Sequence, residues 1–452
     1  MTLPASPLRD DDTQSVSVDF HAERACKLAK QLENKGLYED AQQALGAYWP
    51  RLGERPQLNG LTPGIAAELL LRAGVLTSAL GGKTQLVDAQ EAAKNLVSES
   101  IGIFQSLEDP QKAEEAQVDL ALCYWRTGEL NEARVLLEET LSRLKTDGDL
   151  RCRAIVRLAI VELEALRLNE SLGLLTTNSS RFEKLDNDTL RGSYHGTLAN
   201  VLERLWEKKQ RSDYLDRALI EYTAAIYHFE KAEHRIYLGN VQNNLGFLYY
   251  KINRFQEALD HLDYARRVLI NVGDVITIAS VDETRAGVLL KQGRPSEAEL
   301  AARSSVQTFE KTDRHALLAE SLVTHGRSLA RLGNYNASLS AFQRAISLAQ
   351  LTGSSDKAGE AALAAFQEIG DHLTVCETEN VVSRRTLSED VQSYEQELIK
   401  RALENAQGSV THAARSLGIS YQALGYMLET RHKALLNERT PPRRRLRRVL
   451  TK

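Results

Sequence analysis

At 452 residues, 42% hydrophobic and 26% charged, the chain is too long for one small core, and its make-up is that of an ordinary soluble protein with several folding units or an extended array. Nine prolines among abundant Ala, Leu and Glu favour helix throughout. The net charge of −4 is lopsided: residues 431–452 hold nine Lys or Arg against one acid, Glu438, a local +8, so the first 430 residues carry about −12.

The opening MTLPASPLRDDD is acidic and polar where a signal peptide is basic and then apolar, and residues 1–21 are expected to be disordered. No apolar run approaches the ~20 residues needed to cross a bilayer, so a cytoplasmic protein with no membrane partner is expected. Cys26, Cys123, Cys152 and Cys376 lie far apart, with no C-x-x-C and no companion His at zinc spacing. Four reduced thiols and no metal or other cofactor are the expectation.

Residues 22–370 carry a repeat. Small residues stand at Gly246, Ala286 and Gly326, each 40 from the next, and twelve positions on come Ala258, Ala298 and Ser338. Between them fall Tyr249, Leu289 and Leu329, then turn residues Asn253, Gly293 and Gly333. Earlier copies are Ala121/Ala133 and Ala159/Ser171, and Ala199/Ala218 has extra residues around Lys208–Asp213 that lengthen its turn. Weaker copies stand at Ala29/Ala41 and Gly74/Ala89. Such spacing predicts about eight antiparallel helical hairpins whose axes approach closely where only a hydrogen or a methyl fits. A last helix near Ser355–Glu368 caps the stack.

The tracts LGFLYYKINRFQEALDHLDYA and LALCYWRTGELNEARVLLEETL resemble tetratricopeptide repeats, with Tyr249, Asn253, Phe255 and Ala258 on matching positions. The period of 40 departs from the family's usual 34 and implies longer helices. In such arrays the first helix of each pair lines a concave surface, and counting in phase places Asn240, Asn244, Lys251, Lys291, Arg327 and Arg331 there. These residues either clamp an acidic peptide or a carboxylate, or simply face water. A protein or peptide partner in the groove is what the resemblance implies.

Residues 371–392 break the period and read as a linker. A three-helix unit follows over 393–436, with a basic tail at 437–452. Ser393 and Gln396 form a candidate capping box opening a helix at Tyr394, with an apolar stripe of Leu398, Ile399, Ala402, Leu403 and Ala406. Gly408 ends that helix, and Ser409 opens a short second one with Val410, Ala413, Ala414 and Leu417 inward. Gly418 turns, Ile419 plugs the core, Ser420 caps the third helix, and Leu424 and Leu428 anchor it.

The run GSVTHAARSLGISYQALGYML is similar to the C-terminal DNA-binding domain of the Fis family, through Gly408, Ala413, Ala414, Leu417, Gly418, Ile419 and Leu424. The resemblance implies a third helix in the major groove of double-stranded DNA, with contacts from Ser420, Tyr421, Gln422, Gly425 and Tyr426. The family usually places Arg, Thr and Lys among these positions; here none is charged. Arg431, Lys433, Arg439, Arg443, Arg444, Arg445, Arg447, Arg448 and Lys452 are the candidates for phosphates. One small helix-turn-helix reads few bases, so a homodimer on a two-fold site is expected.

No G-x-x-x-x-G-K-[ST], H-E-x-x-H, G-x-S-x-G or kinase signature occurs, and no enzymatic activity is expected. As a whole the chain resembles bacterial proteins that join a tetratricopeptide array to a Fis-like head. Two functions remain open. One is a transcription regulator; the other is a scaffold or adaptor whose head docks protein or binds RNA without sequence preference.

Overall fold

The computed structural model describes residues 10–81, 86, 88–312, 314–353, 355–376 and 387–438. Every regular element among them is helical. The chain divides into two compact units, 1–365 and 366–452.

The first unit is the expected all-α solenoid, and its helices pair as eight hairpins. These are α1 (Asp10–Asn34) with α2 (Tyr38–Ala44), α3 (Pro63–Leu80) with α4 (Ala89–Ser106), α5 (Pro110–Thr127) with α6 (Leu130–Arg143), and α7 (Asp149–Glu164) with α8 (Leu168–Thr177). After the short α9 (Ser179–Glu183) come α10 (Asp188–Lys209) with α11 (Ser212–Lys231) and α12 (Arg235–Lys251) with α13 (Phe255–Val272). The last two are α14 (Val275–Lys291) with α15 (Pro295–Phe309) and α16 (His315–Arg331) with α17 (Tyr335–Leu351), and α18 (Ser355–Cys376) follows.

The repeated small residues sit where helices cross. Ala159 and Ala258 are fully buried, and a Cβ on Gly246 would lie 2.7 Å from Cγ of Leu262 and 3.2 Å from the Ala258 carbonyl. Where the second small residue is serine, its hydroxyl donates to the carbonyl of the first. Ser171 Oγ bonds Ala159 O and Ser338 Oγ bonds Gly326 O, each at 2.7 Å. Close approach thus satisfies a polar group that burial would otherwise penalise. The turns at Asn253, Gly293 and Gly333 all adopt the left-handed conformation, with φ of 61°, 73° and 79°.

Several boundaries differ from the sequence reading. Helix α1 begins at Asp10, well inside the stretch expected to be disordered. The extra residues near Lys208–Asp213 lengthen α10 and α11 to 22 and 20 residues and leave the turn short; between the two helices the buried Tyr222 hydroxyl donates to Asn200 and Glu203. Gly74 faces Val97 and the Ala93 carbonyl, while Ala89 meets Gly81 instead. Helix α3 is long and apolar enough by composition to cross a membrane, contrary to expectation, yet Leu69, Leu70, Leu71, Ala73 and Leu76 are all buried in this unit's core. Helix α18 runs to Cys376 and α19 (Leu387–Asn405) starts earlier than expected, so of the expected linker only 377–386 lies outside the described residues.

One relationship was not readable from the repeat. The turn after α1 reaches the fifth and sixth hairpins: Thr189 Oγ1 donates to the Asn34 carbonyl at 3.5 Å, and Gly36 packs on the ring of His234. Tyr38 meets Tyr237 through their hydroxyls, and burial raises the Tyr38 phenol well above its ordinary range. The first turn of the superhelix therefore closes on itself.

Candidate nucleic-acid interface and interior cavity

In the second unit, α19, α20 (Val410–Ser416) and α21 (Tyr421–Thr430) form a helix-turn-helix, followed by a short 3₁₀ helix, Lys433–Glu438. Its core is Ile399, Ala402, Leu403, Ala413, Ala414, Leu424, Leu428 and Leu435, with Ala406, Val410, Leu417 and Ile419 packed around it. Gly408 and Gly418 turn the chain at φ of 79° and 67°. Ser420 caps α21, its side chain accepting from the Ala423 amide at 3.1 Å.

Three local expectations fail. Helix α19 already runs through Ser393, so no helix starts at Tyr394; the pattern Thr386-x-x-Glu389 repeats the same capping signal earlier in the sequence. Leu398 is 40% exposed and lies outside the core. Ser409 stands before α20, but its hydroxyl meets Nδ1 of His412 at 2.9 Å and caps no amide.

The candidate contact residues share one side of α21. Ser420 and Gln422 are exposed, as are Tyr421 at 59% and Tyr426 at 66%. Gly425 is half-buried, and a Cβ there would meet nothing within 4 Å. Arg431 is exposed and 3.8 Å from Glu395, and Lys433 is exposed on the 3₁₀ helix. Arg439, Arg443, Arg444, Arg445, Arg447, Arg448 and Lys452 lie outside the described residues.

Sequence reasoning missed His432. It is only 2% exposed, and its Nε2 lies 2.8 Å from Oε2 of Glu395, tying the end of α21 to α19. A His in a basic stretch carries no periodic signal that marks it as core.

The groove candidates disperse. Asn240 and Asn244 line a cavity of about 1310 Å³ inside the closed turn, where Asn244 donates to Asn200 at 3.2 Å. Lys251 instead pairs with Glu203 and Glu207, both at 2.6 Å, over the ring of Phe247. Lys291 is exposed, Arg327 stands near Glu283 and Tyr250, and Arg331 reaches the Leu290 carbonyl at 3.4 Å; none of these four lines the cavity.

Two segments match known families. Residues 391–429 match "Bacterial regulatory protein, Fis family", and residues 319–350 match "Tetratricopeptide repeat". The chain is a tetratricopeptide-repeat protein with a Fis-type helix-turn-helix. No curated protein matches it. Solved structures with a similar fold include the apo form of RapI, with a TM-score of 0.51 and 14% identity over 82% of this chain and 100% of that one. A Rap protein complexed with competence and sporulation factor has a TM-score of 0.49 and 13% identity over 82% and 100%. PilF of Pseudomonas aeruginosa has a TM-score of 0.40 and 18% identity over 56% and 97%. At these identities the likeness concerns fold alone. A Fis-type head suggests a DNA-binding regulator, and the repeats of this tetratricopeptide-repeat protein suggest interaction with other proteins. Neither family is enzymatic. Among the described residues no group of His, Cys, Asp and Glu could hold a metal, and Cys26, Cys123 and Cys152 are buried free thiols.

Proposed function

We propose that this protein is a cytoplasmic transcription regulator that binds DNA through α21 as a homodimer, while its array receives a protein or peptide partner. The observation that supports this most is the exposed first turn of α21. Ser420 fixes the helix start, and Tyr421, Gln422 and Tyr426 project from a core that uses none of them. Gln422 can pair bidentately with adenine, and the tyrosines can reach phosphates. The tail's arginines would supply the salt-dependent part of the affinity.

The test is a fluorescence titration of the full chain with genomic DNA fragments at several salt concentrations. Gln422→Ala should weaken binding to a selected site by ~5- to 100-fold. Truncation after Glu438 should weaken binding to all duplexes and flatten the salt dependence. Equal affinity of all three proteins for DNA would sink the proposal. The uncharged face of α21 favours the adaptor reading instead, and that reading predicts co-purifying proteins that survive nuclease treatment.

A further inference from the structure

We propose that two copies of the chain pair through α18, antiparallel and about a two-fold axis. This rests on the reading of the protein as a homodimer and names the surface that joins the copies.

The 40-residue register runs on past the last hairpin. Small residues stand at Gly239, Ala279, Ala319 and Gly359, and again at Gly246, Ala286 and Gly326, where the next member of the series is Phe366. In α12 both positions receive the second helix of the hairpin. A Cβ on Gly239 would lie 2.5 Å from Cγ of Leu269, and one on Gly246 would lie 2.7 Å from Cγ of Leu262. Ala279, Ala286 and Ala319 are buried in the same way. Helix α18 has no such cover. A Cβ on Gly359 would meet nothing within 4 Å, Ala362 is exposed, Leu363 is 56% exposed and Phe366 is 61% exposed. The opposite face is buried, with Ala361 in the core that holds Leu318, Leu322 and Ala345. Where earlier hairpins turn, at Asn253, Gly293 and Gly333, α18 runs straight on to Cys376.

The segments outside the described residues are ill suited to this face. Second helices α13, α15 and α17 take 18, 15 and 17 residues, but only ten separate Cys376 from Leu387. Residues 1–9 hold two prolines, which a helix interior does not accept. Residues 439–452 hold two more, and seven Lys or Arg that would have to be desolvated.

A second copy fits because the face is complementary to itself. Phe366 lies seven residues, two helical turns, after Gly359. In an antiparallel pair crossing between Ala362 and Leu363, Phe366 of each copy fills the gap over Gly359 of the other, and Leu363 packs on Ala362. Along the rim, the exposed Gln367 donates to the exposed Glu360 of the other copy. Two phenylalanines at roughly 150–250 Å² each, with two leucines, leave the contact below the ~1,200 Å² of a stable complex. Helix α18 therefore gives a weak, reversible dimer, which a two-fold DNA site completes.

The experiment is sedimentation equilibrium of the full chain at micromolar concentrations without DNA. The parent should show a monomer–dimer equilibrium. Phe366→Ala and Gly359→Phe should each raise the dissociation constant at least tenfold. The double variant exchanges knob and gap, and should return it to within threefold of the parent's. Both positions are exposed, so every variant should keep the parent's melting temperature. Equal association of all four proteins would overturn the inference by placing the contact elsewhere. A parent that stays monomeric would overturn it too; if Phe366→Ala then also lowered the melting temperature, the chain's own residues would cover the face. The homodimer reading is counted separately, by stoichiometry on duplex DNA. Two parent chains per duplex would keep that reading without α18, and one per duplex would end it.

Discussion

A Cβ placed on Gly36 would lie 2.6 Å from Cε1 of His234, so the first hairpin and the sixth meet with no space for a side chain. Gly36 also has a φ of +73°, which L side chains rarely adopt. Gly60 shares that backbone, at φ +79°, but faces open space. Gly60→Ala should therefore cost only the backbone strain, about 1 kcal/mol. Gly36→Ala should cost at least about 1 kcal/mol more, because the methyl group forces the two hairpins apart. Paired thermal unfolding curves decide this. Equal losses would mean that the contact contributes nothing.

The same histidine sets a pH dependence. Burial holds the His234 imidazole at about 4, against an ordinary 6.5, and its Nδ1 accepts from the Tyr237 amide at 3.2 Å. Between pH 6.5 and about 4 the unfolded chain binds a proton that the folded array refuses. Stability from this group is thus complete above 6.5, falls as pH drops through the window, and levels off below about 4. The full loss is about 3 kcal/mol. His234→Asn retains a capping acceptor but cannot titrate, so its stability should fall less between pH 7 and 4. Parallel pH profiles for the two proteins would refute the assignment.

Glycine within a helix gives opposite signs depending on its neighbours. Gly246 already crowds Leu262 and the Ala258 carbonyl, whereas Gly102 in α4 has nothing within 4 Å. Gly246→Val should destabilise the array by at least ~1–3 kcal/mol through overpacking. Gly102→Ala should stabilise it by up to about 1 kcal/mol through helix propensity. Chemical denaturation midpoints measure both changes.

These glycines also mark how far the sequence could be read. The positions twelve apart, the left-handed turns and the apolar frame of the head are local demands of close-packed helices, and each leaves a periodic trace. The meeting of Gly36 with His234 leaves none, since it depends on superhelical curvature accumulated over five hairpins. Phase counting put Lys251 beside Asn240 and Asn244; the two asparagines line the cavity, and Lys251 pairs with Glu203 and Glu207, partners on another hairpin that a periodic count does not supply. The Glu395–His432 pair is a single long-range contact within the head, and one sequence carries no sign of it.

Gly425 joins the head's stability to its use. It lies within α21, where glycine costs about 1 kcal/mol relative to alanine, and its missing Cβ would face open space beside Tyr421, Gln422 and Tyr426. Gly425→Ala should therefore strengthen the helix, raising hydrogen-exchange protection of α21 amides about fivefold. Gly425→Leu would keep most of that gain yet project an isobutyl group from the face proposed to enter the groove. DNA affinity of the leucine variant should fall at least tenfold while protection stays above the parent's. If its affinity matched the parent's, the duplex would have to approach another side of the head, and Tyr421 and Gln422 would lose their proposed role with it.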